Sequence, residues 1–443
     1  LNNIQEYCKT NNLKIINDKS PYNVKILRKI DVKKDDESFI QSANFDDFNF
    51  RVTLKNEETI SKTGKIGLEI FENWNKSKKV FRYINRVSFT HKDFSAFQID
   101  LSIVRSSNKN ERGRMIQTYN IDESNVFENS EIYEIEVEVL DNARTIFKEP
   151  KELSDNLQKV VKNVLCGLQR TNYPISYVEQ KQVLQDYIKL VFEEENLKKG
   201  ITKERIYPSD FIGPGLKTLE LQNVSPISKD VIVPNITEPY SYCVTEKADG
   251  ERHLLYVNEK GKIFLLNMNM NVVFTGAKTE EEKCFNSLLD GELILHNKTH
   301  QFINVFAIFD IYYLNNNDVR ARPFVKTSLK DDKYFKEGCR LPLMKEFVNK
   351  LNPVSITYKK PETQNKISSI IDRSITNKSP ITIIAKKFYP SFDESKEQSK
   401  YNIFEANNYL LRRIADNLFD YEIDGLIFTP TLLGVGSNKF LEA

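Results

Sequence analysis

Three stretches within the first 145 residues alternate between apolar and polar side chains: Phe50–Lys55, Phe97–Arg105 and Tyr133–Val139. A two-residue period places one set of side chains on each face of a β-strand. These stretches therefore predict an antiparallel sheet with one apolar and one polar face. The polar face is charged, because it presents Arg51, Lys55, Asp100, Glu134, Glu136 and Glu138.

Three of these charges lie on one predicted strand, where Glu134, Glu136 and Glu138 share a face. Carboxylates this close repel one another unless a cation lies between them, and their oxygens are suitable ligands for a divalent ion. By spacing alone, a solvated acidic face on an antiparallel sheet is the more common arrangement. Both interpretations stay open at this point.

The next segment predicts two helices followed by a linker. Apolar side chains recur at helical spacing over Leu157–Leu168 and again over Val183–Phe192. Residues 200–238 are rich in proline and glycine, a composition typical of a connection between domains. Together with the length of the chain, this pattern predicts two domains, 1–200 and 201–443.

Composition excludes several classes of protein. The formal net charge is +2, so the chain has no bulk cationic field for nucleic acid, and any polyanion site must be local. The five cysteines form no C-x-x-C pair, which argues against a disulfide framework or a zinc site and suits a reducing compartment. No apolar run approaches the ~18 residues of a membrane span, so we expect no membrane partner.

The run Lys247–Arg252 reads Lys-Ala-Asp-Gly-Glu-Arg and follows a β-like stretch. A lysine amine at a strand end can attack the α-phosphate of a nucleoside triphosphate, which forms a phosphoramidate and releases pyrophosphate. The amine must be neutral, so nearby cations, a divalent metal or desolvation must lower its pKa. Gly250 allows close approach of the backbone to a nucleotide, and the planar fork of Arg252 suits ribose hydroxyls or phosphate. The alternative without a catalytic role is a surface lysine beside an ordinary Asp-Gly turn.

Three later apolar strands each carry a polar or aromatic signature. They are Leu288–Leu295 with Asp290-Gly291-Glu292, Phe302–Ile311 with Phe309-Asp310, and Tyr421–Phe428 with Asp424-Gly425. Each is weak alone, since Asp-Gly is an ordinary turn and a lone phenylalanine is more often core. Together with Lys247–Arg252, and in this order, they resemble motifs I, III, IIIa and IV of the covalent nucleotidyltransferase superfamily, which contains DNA ligases, RNA ligases and mRNA capping enzymes.

This resemblance implies a role for each matching residue. Lys247 would be the nucleophile, and Phe309 would stack on the base. Arg252 and Glu292 would contact the ribose. The acidic side that handles metal and orients the lysine would be Asp290, Glu292 and Asp424. The whole nucleotide site would comprise Lys247, Asp249, Gly250, Arg252, Glu292, Phe309 and Asp424.

The branch of the superfamily is indicated by Asp424–Phe428, which reads Asp-Gly-Leu-Ile-Phe where many ligases have Glu-Gly. Residues 240–295 and 421–430 resemble capping enzymes of large DNA viruses, mimivirus-like ones in particular. Val80–Phe89, Phe97–Ser107 and Tyr133–Glu138 are similar to the triphosphate-tunnel RNA triphosphatase domain of the same enzymes. The implied fold is α+β, with an antiparallel triphosphate-tunnel β-barrel followed by a nucleotidyltransferase domain of the ATP-grasp-like ligase and capping-enzyme type.

Within such a tunnel, the resemblance makes Glu134, Glu136 and Glu138 ligands of Mg²⁺ or Mn²⁺. It assigns the RNA triphosphate to Arg51, Lys55, Arg82, Arg86 and Asp100. The implied activity removes the γ-phosphate of a 5′-triphosphate RNA and then transfers GMP from GTP, through Lys247, to the diphosphate end. The implied location is the cytoplasm of an infected host cell or the virion.

The sequence also departs from the family pattern. The second Glu-x-Glu pair of the tunnel is expected upstream of Leu1, the sequence reaches Ala443 before the final lysine motif, and a C-terminal OB domain is expected to be absent. A methyltransferase, as a further domain or a separate subunit, is a possible partner. Two alternatives remain: an ATP-dependent RNA or DNA ligase with an accessory N-terminal domain, and a non-catalytic scaffold subunit.

Overall fold

A computed structural model gives the fold of the chain in two compact units, Leu1–Leu168 and Gln169–Ala443. The structure describes residues 14–15, 25–34, 36–61, 63–199, 205–224, 236–237, 241–325, 338–357, 379–391 and 402–435. Both units combine helices with antiparallel sheets, which confirms the α+β class. In these parts of the chain every helix is too short or too polar to cross a lipid bilayer.

The first unit is mainly β-structure. Its elements are β1 (Lys14–Ile15), β2 (Ile26–Asp31), β3 (Ala43–Phe45), β4 (Phe50–Val52), β5 (Lys55–Ile60), α1 (Lys65–Glu72), β6 (Arg82–Thr90), β7 (Phe97–Ser106), β8 (Ile132–Val139), α2 (Ala143–Ile146) and α3 (Pro150–Gln169). The main sheet is antiparallel with the order β1-β6-β7-β8, while β2 pairs with β5 and β3 with β4. Over the described residues the main sheet is open, so the closed tunnel stays a prediction.

The register of the main sheet agrees with the predicted polar face. Asp100 on β7 lies opposite Ser88 on β6 and Glu136 on β8. Because side chains alternate along each strand, one face presents Arg82, Arg86, Asp100, Glu134, Glu136 and Glu138. On the other face, Phe97, Ile99 and Val137 pack with Leu157 and Val160 of α3.

One predicted strand is wrong in detail. The stretch Phe50–Lys55 is split, because β4 ends at Val52 and β5 begins at Lys55. The two pieces pair with different strands in separate two-stranded ribbons. Arg51 and Lys55 therefore do not belong to the main sheet, and alternation alone could not detect the break.

The second unit contains the larger sheet. Its elements are α4 (Tyr177–Lys199), α5 (Leu221–Val224), β9 (Tyr242–Ala248), β10 (Glu251–Val257), β11 (Lys262–Asn267), β12 (Val272–Lys278), β13 (Ser287–His296), β14 (Phe302–Leu314), β15 (Asn317–Asp318), α6 (Arg340–Leu351), β16 (Val354–Ser355), β17 (Thr382–Ala385), β18 (Tyr389–Pro390), α7 (Ile403–Ala415) and β19 (Ile423–Pro430). The order of the large sheet is β15-β14-β13-β10-β11-β12-β16, with β17 parallel to β14. A smaller sheet has the order β18-β9-β19.

Both faces of the large sheet are buried. Leu255 and Phe306 face a core that α6 covers, whereas Leu254 and Tyr256 face a second core that α4 covers with Tyr187. Two-sided burial explains why these strands read as nearly continuous apolar runs rather than as alternating ones. It also places α4, which the sequence assigned to residues 1–200, in the second unit.

We expect Phe306→Ala to lower the free energy of unfolding by about 3–5 kcal/mol, because the ring is fully buried and its loss leaves a cavity. Urea denaturation followed by circular dichroism measures this change. Phe302→Ala on the same strand is the control, since that ring is 62% exposed and its loss should cost less than about 0.5 kcal/mol. Equal losses for the two variants would contradict the two-sided core.

Candidate active site

The small sheet brings Lys247 and Asp424 together. Lys247 on β9 lies opposite Gly425 on β19, and a bulge between Ile423 and Gly425 interrupts the register beside Asp424. Such a bulge redirects a side chain, and here Lys247 Nζ donates a hydrogen bond to Asp424 Oδ2. Both side chains remain partly exposed to solvent. The lysine of the first motif and the acid of the last thus meet although 177 positions separate them.

The electrostatic surroundings favour the charged form of this lysine. The hydrogen bond to Asp424 raises the pKa of Lys247 above its ordinary value, and burial opposes this only in part. The charges of Glu292 and Asp249 act in the same direction as Asp424. In this arrangement the amine is a cation held by carboxylates, and nucleophilic attack requires it to lose its proton first.

Arg252 and Asp290 form a buried ion pair on adjacent strands. Arg252 Nε lies 3.1 Å from Asp290 Oδ1, and Arg252 Nη2 lies 2.5 Å from Asp290 Oδ2. Tyr312 Oη donates to the same Oδ2 at 2.5 Å. Burial raises the pKa of Asp290, and Arg252 opposes that shift. These contacts commit the Asp290 carboxylate to holding Arg252, whereas the resemblance implied that it handles metal.

Glu292 and Phe309 complete the nucleotide side of the site. In the register of the large sheet, Glu292 pairs with Arg252 across β10 and β13. Burial raises the pKa of Glu292, while Lys386 and Lys247 lower it. The ring centroid of Phe309 is 5.9 Å from the guanidinium carbon of Arg252. Phe309 also packs against the core that α6 covers. The ring therefore belongs to the core and also lies beside Arg252.

Sequence reasoning missed a buried network directly behind Lys247. Lys386 is almost fully buried, and its Nζ donates to the main-chain oxygen of Glu246 at 2.6 Å. The Glu246 carboxylate lies 3.6 Å from Lys386 Nζ and accepts a hydrogen bond of 2.9 Å from Tyr421 Oη. Burial lowers the pKa of Lys386, and the charge of Lys247 adds to that effect. The available signal was a glutamate inside an apolar strand, since such residues are rarely buried without a partner.

A second missed residue, Arg340, anchors the strand that carries Phe309. Arg340 is buried at the start of α6, and its Nε lies 2.8 Å from Asp310 Oδ1. Its Nη1 also donates to the main-chain oxygen of Leu433 at 3.1 Å. One guanidinium therefore links β14, α6 and the segment after β19, which fixes the backbone next to Phe309.

The first unit has its own cluster of charges, centred on Arg86. Arg86 Nη1 lies 2.8 Å from Asp100 Oδ2 and 3.9 Å from Glu138 Oε1, and Arg86 Nη2 lies 2.5 Å from Glu136 Oε2. One oxygen from each of these three carboxylates falls within 4.8 Å of the others, a spacing that could hold a metal ion. Glu134 lies outside this group and pairs with Arg82 at 2.6 Å.

The composition of this cluster fits a divalent cation. Three carboxylates and one guanidinium leave two negative charges uncompensated. Asp100 Oδ2 is buried and accepts no hydrogen bond, because its contact with Arg86 is an ion pair without hydrogen-bond geometry. Burial raises the pKa of Glu138, and the charges of Asp100 and, more weakly, Glu57 add to that shift. Asp100, which the sequence assigned to the triphosphate, therefore stands with the candidate metal ligands.

The two remaining tunnel candidates lie on other strands. Lys55 pairs with Asp31 at 3.1 Å across the β2–β5 ribbon. Lys55 lies two residues before Glu57 on β5, so the two side chains share a strand face. The charge of Glu57 is one of the groups that raise the pKa of Glu138. Arg51 lies on the β3–β4 ribbon, opposite Asn44.

Comparison with known proteins relates the chain to mRNA capping enzymes. Residues 180–382 match the family model of the mRNA capping enzyme catalytic domain. This part of the chain is similar to the catalytic domain of mRNA capping enzymes. The chain is also 27% identical over 396 residues to a "Probable mRNA-capping enzyme" of Acanthamoeba polyphaga mimivirus, in an alignment that covers 86% of this chain and 29% of that relative. The relationship to viral capping enzymes inferred from the motifs is confirmed, and the chain spans under a third of that relative's length.

We expect Asp424→Asn to lower the pKa of Lys247, because the substitution removes the carboxylate that most stabilises the ammonium form. An amine-specific label, applied over a range of pH and quantified at Lys247 by mass spectrometry, should then react with half-maximal yield at a lower pH. Asp420→Asn serves as the control and should leave this midpoint in place. A midpoint that rises or stays constant in Asp424→Asn would show that the ion pair does not form.

Proposed function

We propose that the second unit is a guanylyltransferase that transfers GMP from GTP to the 5′-diphosphate end of an RNA through a covalent intermediate on Lys247. The observation that carries this proposal is the contact of Lys247 with Asp424, within electrostatic reach of Glu292 and Asp249. A solvent-accessible amine among acidic groups is an arrangement suited to attack on phosphorus once the proton is lost. The family match over residues 180–382 supports the same reaction class.

The two chemical steps balance without an outside oxidant or reductant. In the first, Lys247 Nζ forms a bond to the α-phosphorus of GTP, the bond to the bridging oxygen breaks, and pyrophosphate leaves. Asp424, already hydrogen-bonded to Nζ, accepts the proton that the amine must lose. In the second step, a terminal oxygen of the RNA diphosphate forms a bond to the same phosphorus, the N–P bond breaks, and the lysine regains a proton.

A divalent ion such as Mg²⁺ or Mn²⁺ would offset the charge that develops on the α-phosphate and the leaving pyrophosphate. Glu292 and Asp424 are the residues that would hold it. Burial raises the pKa of Glu292, and the charge of Asp424 adds to that shift more weakly, so the two carboxylates lie within electrostatic reach of each other, which suits a shared cation. Asp290 is left out of this set because Arg252 and Tyr312 occupy its oxygens.

Incubation with metal and GTP labelled at the α-phosphate should give a protein adduct that is stable to alkali and labile to acid, as a phosphoramidate is. Lys247→Ala should abolish it, because the nucleophile is gone. Lys260→Ala, which removes an exposed lysine in the turn between β10 and β11, should charge like the wild type. Charging by ATP but not by GTP would replace this proposal with the ATP-dependent ligase. Charging by neither, under conditions that bind nucleotide, would favour the non-catalytic scaffold.

We further propose that the first unit removes the γ-phosphate of a 5′-triphosphate RNA before this transfer. The Asp100, Glu136 and Glu138 cluster is the observation that favours it, since a ligase gives no reason to gather three carboxylates around one guanidinium. These carboxylates would hold Mg²⁺ or Mn²⁺, which when bound activates a water and offsets phosphate charge. Arg86 and Arg82 are the described cations on the same sheet face that would bind the triphosphate.

Glu136→Gln should reduce release of phosphate from 5′-triphosphate RNA by at least about 10-fold. Removing a metal ligand should lower activity at least as much as removing a residue that only hydrogen-bonds to a ligand. The same variant should keep GMP charging at the wild-type level, and Lys247→Ala should show the reverse pattern. Glu128→Gln, an exposed acid on the loop before β8, controls for a general loss of charge. Parallel loss of both activities in Glu136→Gln would contradict two separate sites.

A further inference from the structure

We propose that the turn Phe211–Pro214 is a positioning element that fixes Arg252 for the nucleotide. The sequence assigned this turn to a linker between domains, yet its contacts tie it to the centre of the second unit. The inference rests on the proposed nucleotidyl transfer and adds a group of residues to which neither the motifs nor the family resemblance assigns a role.

Tyr187 of α4 holds the turn in place through two hydrogen bonds. The Tyr187 hydroxyl donates to the main-chain oxygen of Asp210 at 2.6 Å and accepts from the amide of Ile212 at 3.1 Å. Tyr187 is fully buried in the core that α4 forms with the large sheet. Both ends of a short stretch around Phe211 are thereby fixed to one rigid side chain, which is a support that a flexible linker does not need.

The Phe211–Pro214 turn also holds Arg252, through contacts separate from those with Asp290. Arg252 Nη1 donates to the main-chain oxygen of Pro214 at 2.8 Å, and the Phe211 ring centroid lies 5.5 Å from the guanidinium carbon. A guanidinium has five N–H groups, and Asp290 and Pro214 accept from three of them. The N–H groups beyond these three bonds, which Tyr312 also contacts, are the ones that could donate to ribose hydroxyls or phosphate oxygens.

Gly213 is the residue that permits this close approach. Its φ of +125° lies where other residues are strained. A Cβ at this position would fall 2.4 Å from Arg252 Nη2, 2.8 Å from Tyr312 Oη and 3.1 Å from Asp290 Oδ2. Any side chain at Gly213 must therefore displace the buried pair itself. A Cβ at Gly215, two residues later, would meet nothing within 4 Å, which gives a matched control on the same segment.

The test compares Gly213→Ala, Gly215→Ala and the wild type in the rate of GMP charging per unit GTP concentration and in the dissociation constant for GTP. Gly213→Ala should lower the charging rate by roughly 100-fold, the scale of a 1 Å misplacement at a reacting centre. Gly215→Ala should match the wild type. Thermal unfolding checks that each variant is folded. Phe211→Leu, which keeps apolar volume and removes the ring beside the guanidinium, decides the matter if Gly213→Ala does not fold, with an expected loss of about 3-fold.

A merely structural role is separated from positioning by repeating Gly213→Ala in an Arg252→Lys background. If the turn acts through Arg252, the second substitution should cost less than about 2-fold there, because the group it positions is already gone. Losses that multiply in the double variant, or wild-type charging by both Gly213→Ala and Phe211→Leu, would overturn the proposal. Failure of the proposed function is read separately, from a wild type that does not charge with GTP. In that case ATP charging, or nucleotide binding if neither charges, is compared across the same variants.

Discussion

The ion pair between Arg252 and Asp290 is the constraint around which the candidate active site is organised. A carboxylate buried this deeply is unfavourable unless its oxygens are paired, and two nitrogens of Arg252 and the hydroxyl of Tyr312 pair them. Holding Arg252 in this position requires the close turn at Gly213, whose conformation and lack of a side chain leave room for the guanidinium. Strand pairing, turn geometry and side-chain charge therefore depend on one another.

Lys247 differs from Arg252 in its surroundings. Its amine lies at a partly open position, where neighbouring carboxylates stabilise the proton that chemistry must remove. Behind it, Glu246 and Lys386 are sealed from solvent and satisfy each other's charge with the help of Tyr421. Buried groups whose charges and hydrogen bonds are satisfied give the strand a rigid support, which the covalent role proposed for Lys247 requires.

The first unit offsets its clustered negative charges only in part. Its main sheet gathers three carboxylates around Arg86 on one face. The guanidinium lies between them and reduces their mutual repulsion. The set is Asp100, Glu136 and Glu138 because Asp100 lies directly opposite Glu136 across the strand pair, whereas Glu134 lies nearer to Arg82. Neighbouring strands thus decided the membership of a cluster that a single strand had suggested.

Local sequence was sufficient for whatever depends on spacing along the chain: the polar face of β7 and β8, the helices α3 and α4, and a lysine and acids in ordered motifs that meet at one site. It failed where distant segments had to be known, as in the broken strand at Phe50–Lys55, the buried Lys386, the anchoring Arg340 and the true partner of Asp290. Periodicity records which way a side chain points relative to its own element. What that side chain meets is fixed only when strands from far along the chain are brought into register, and the tertiary structure alone decided that.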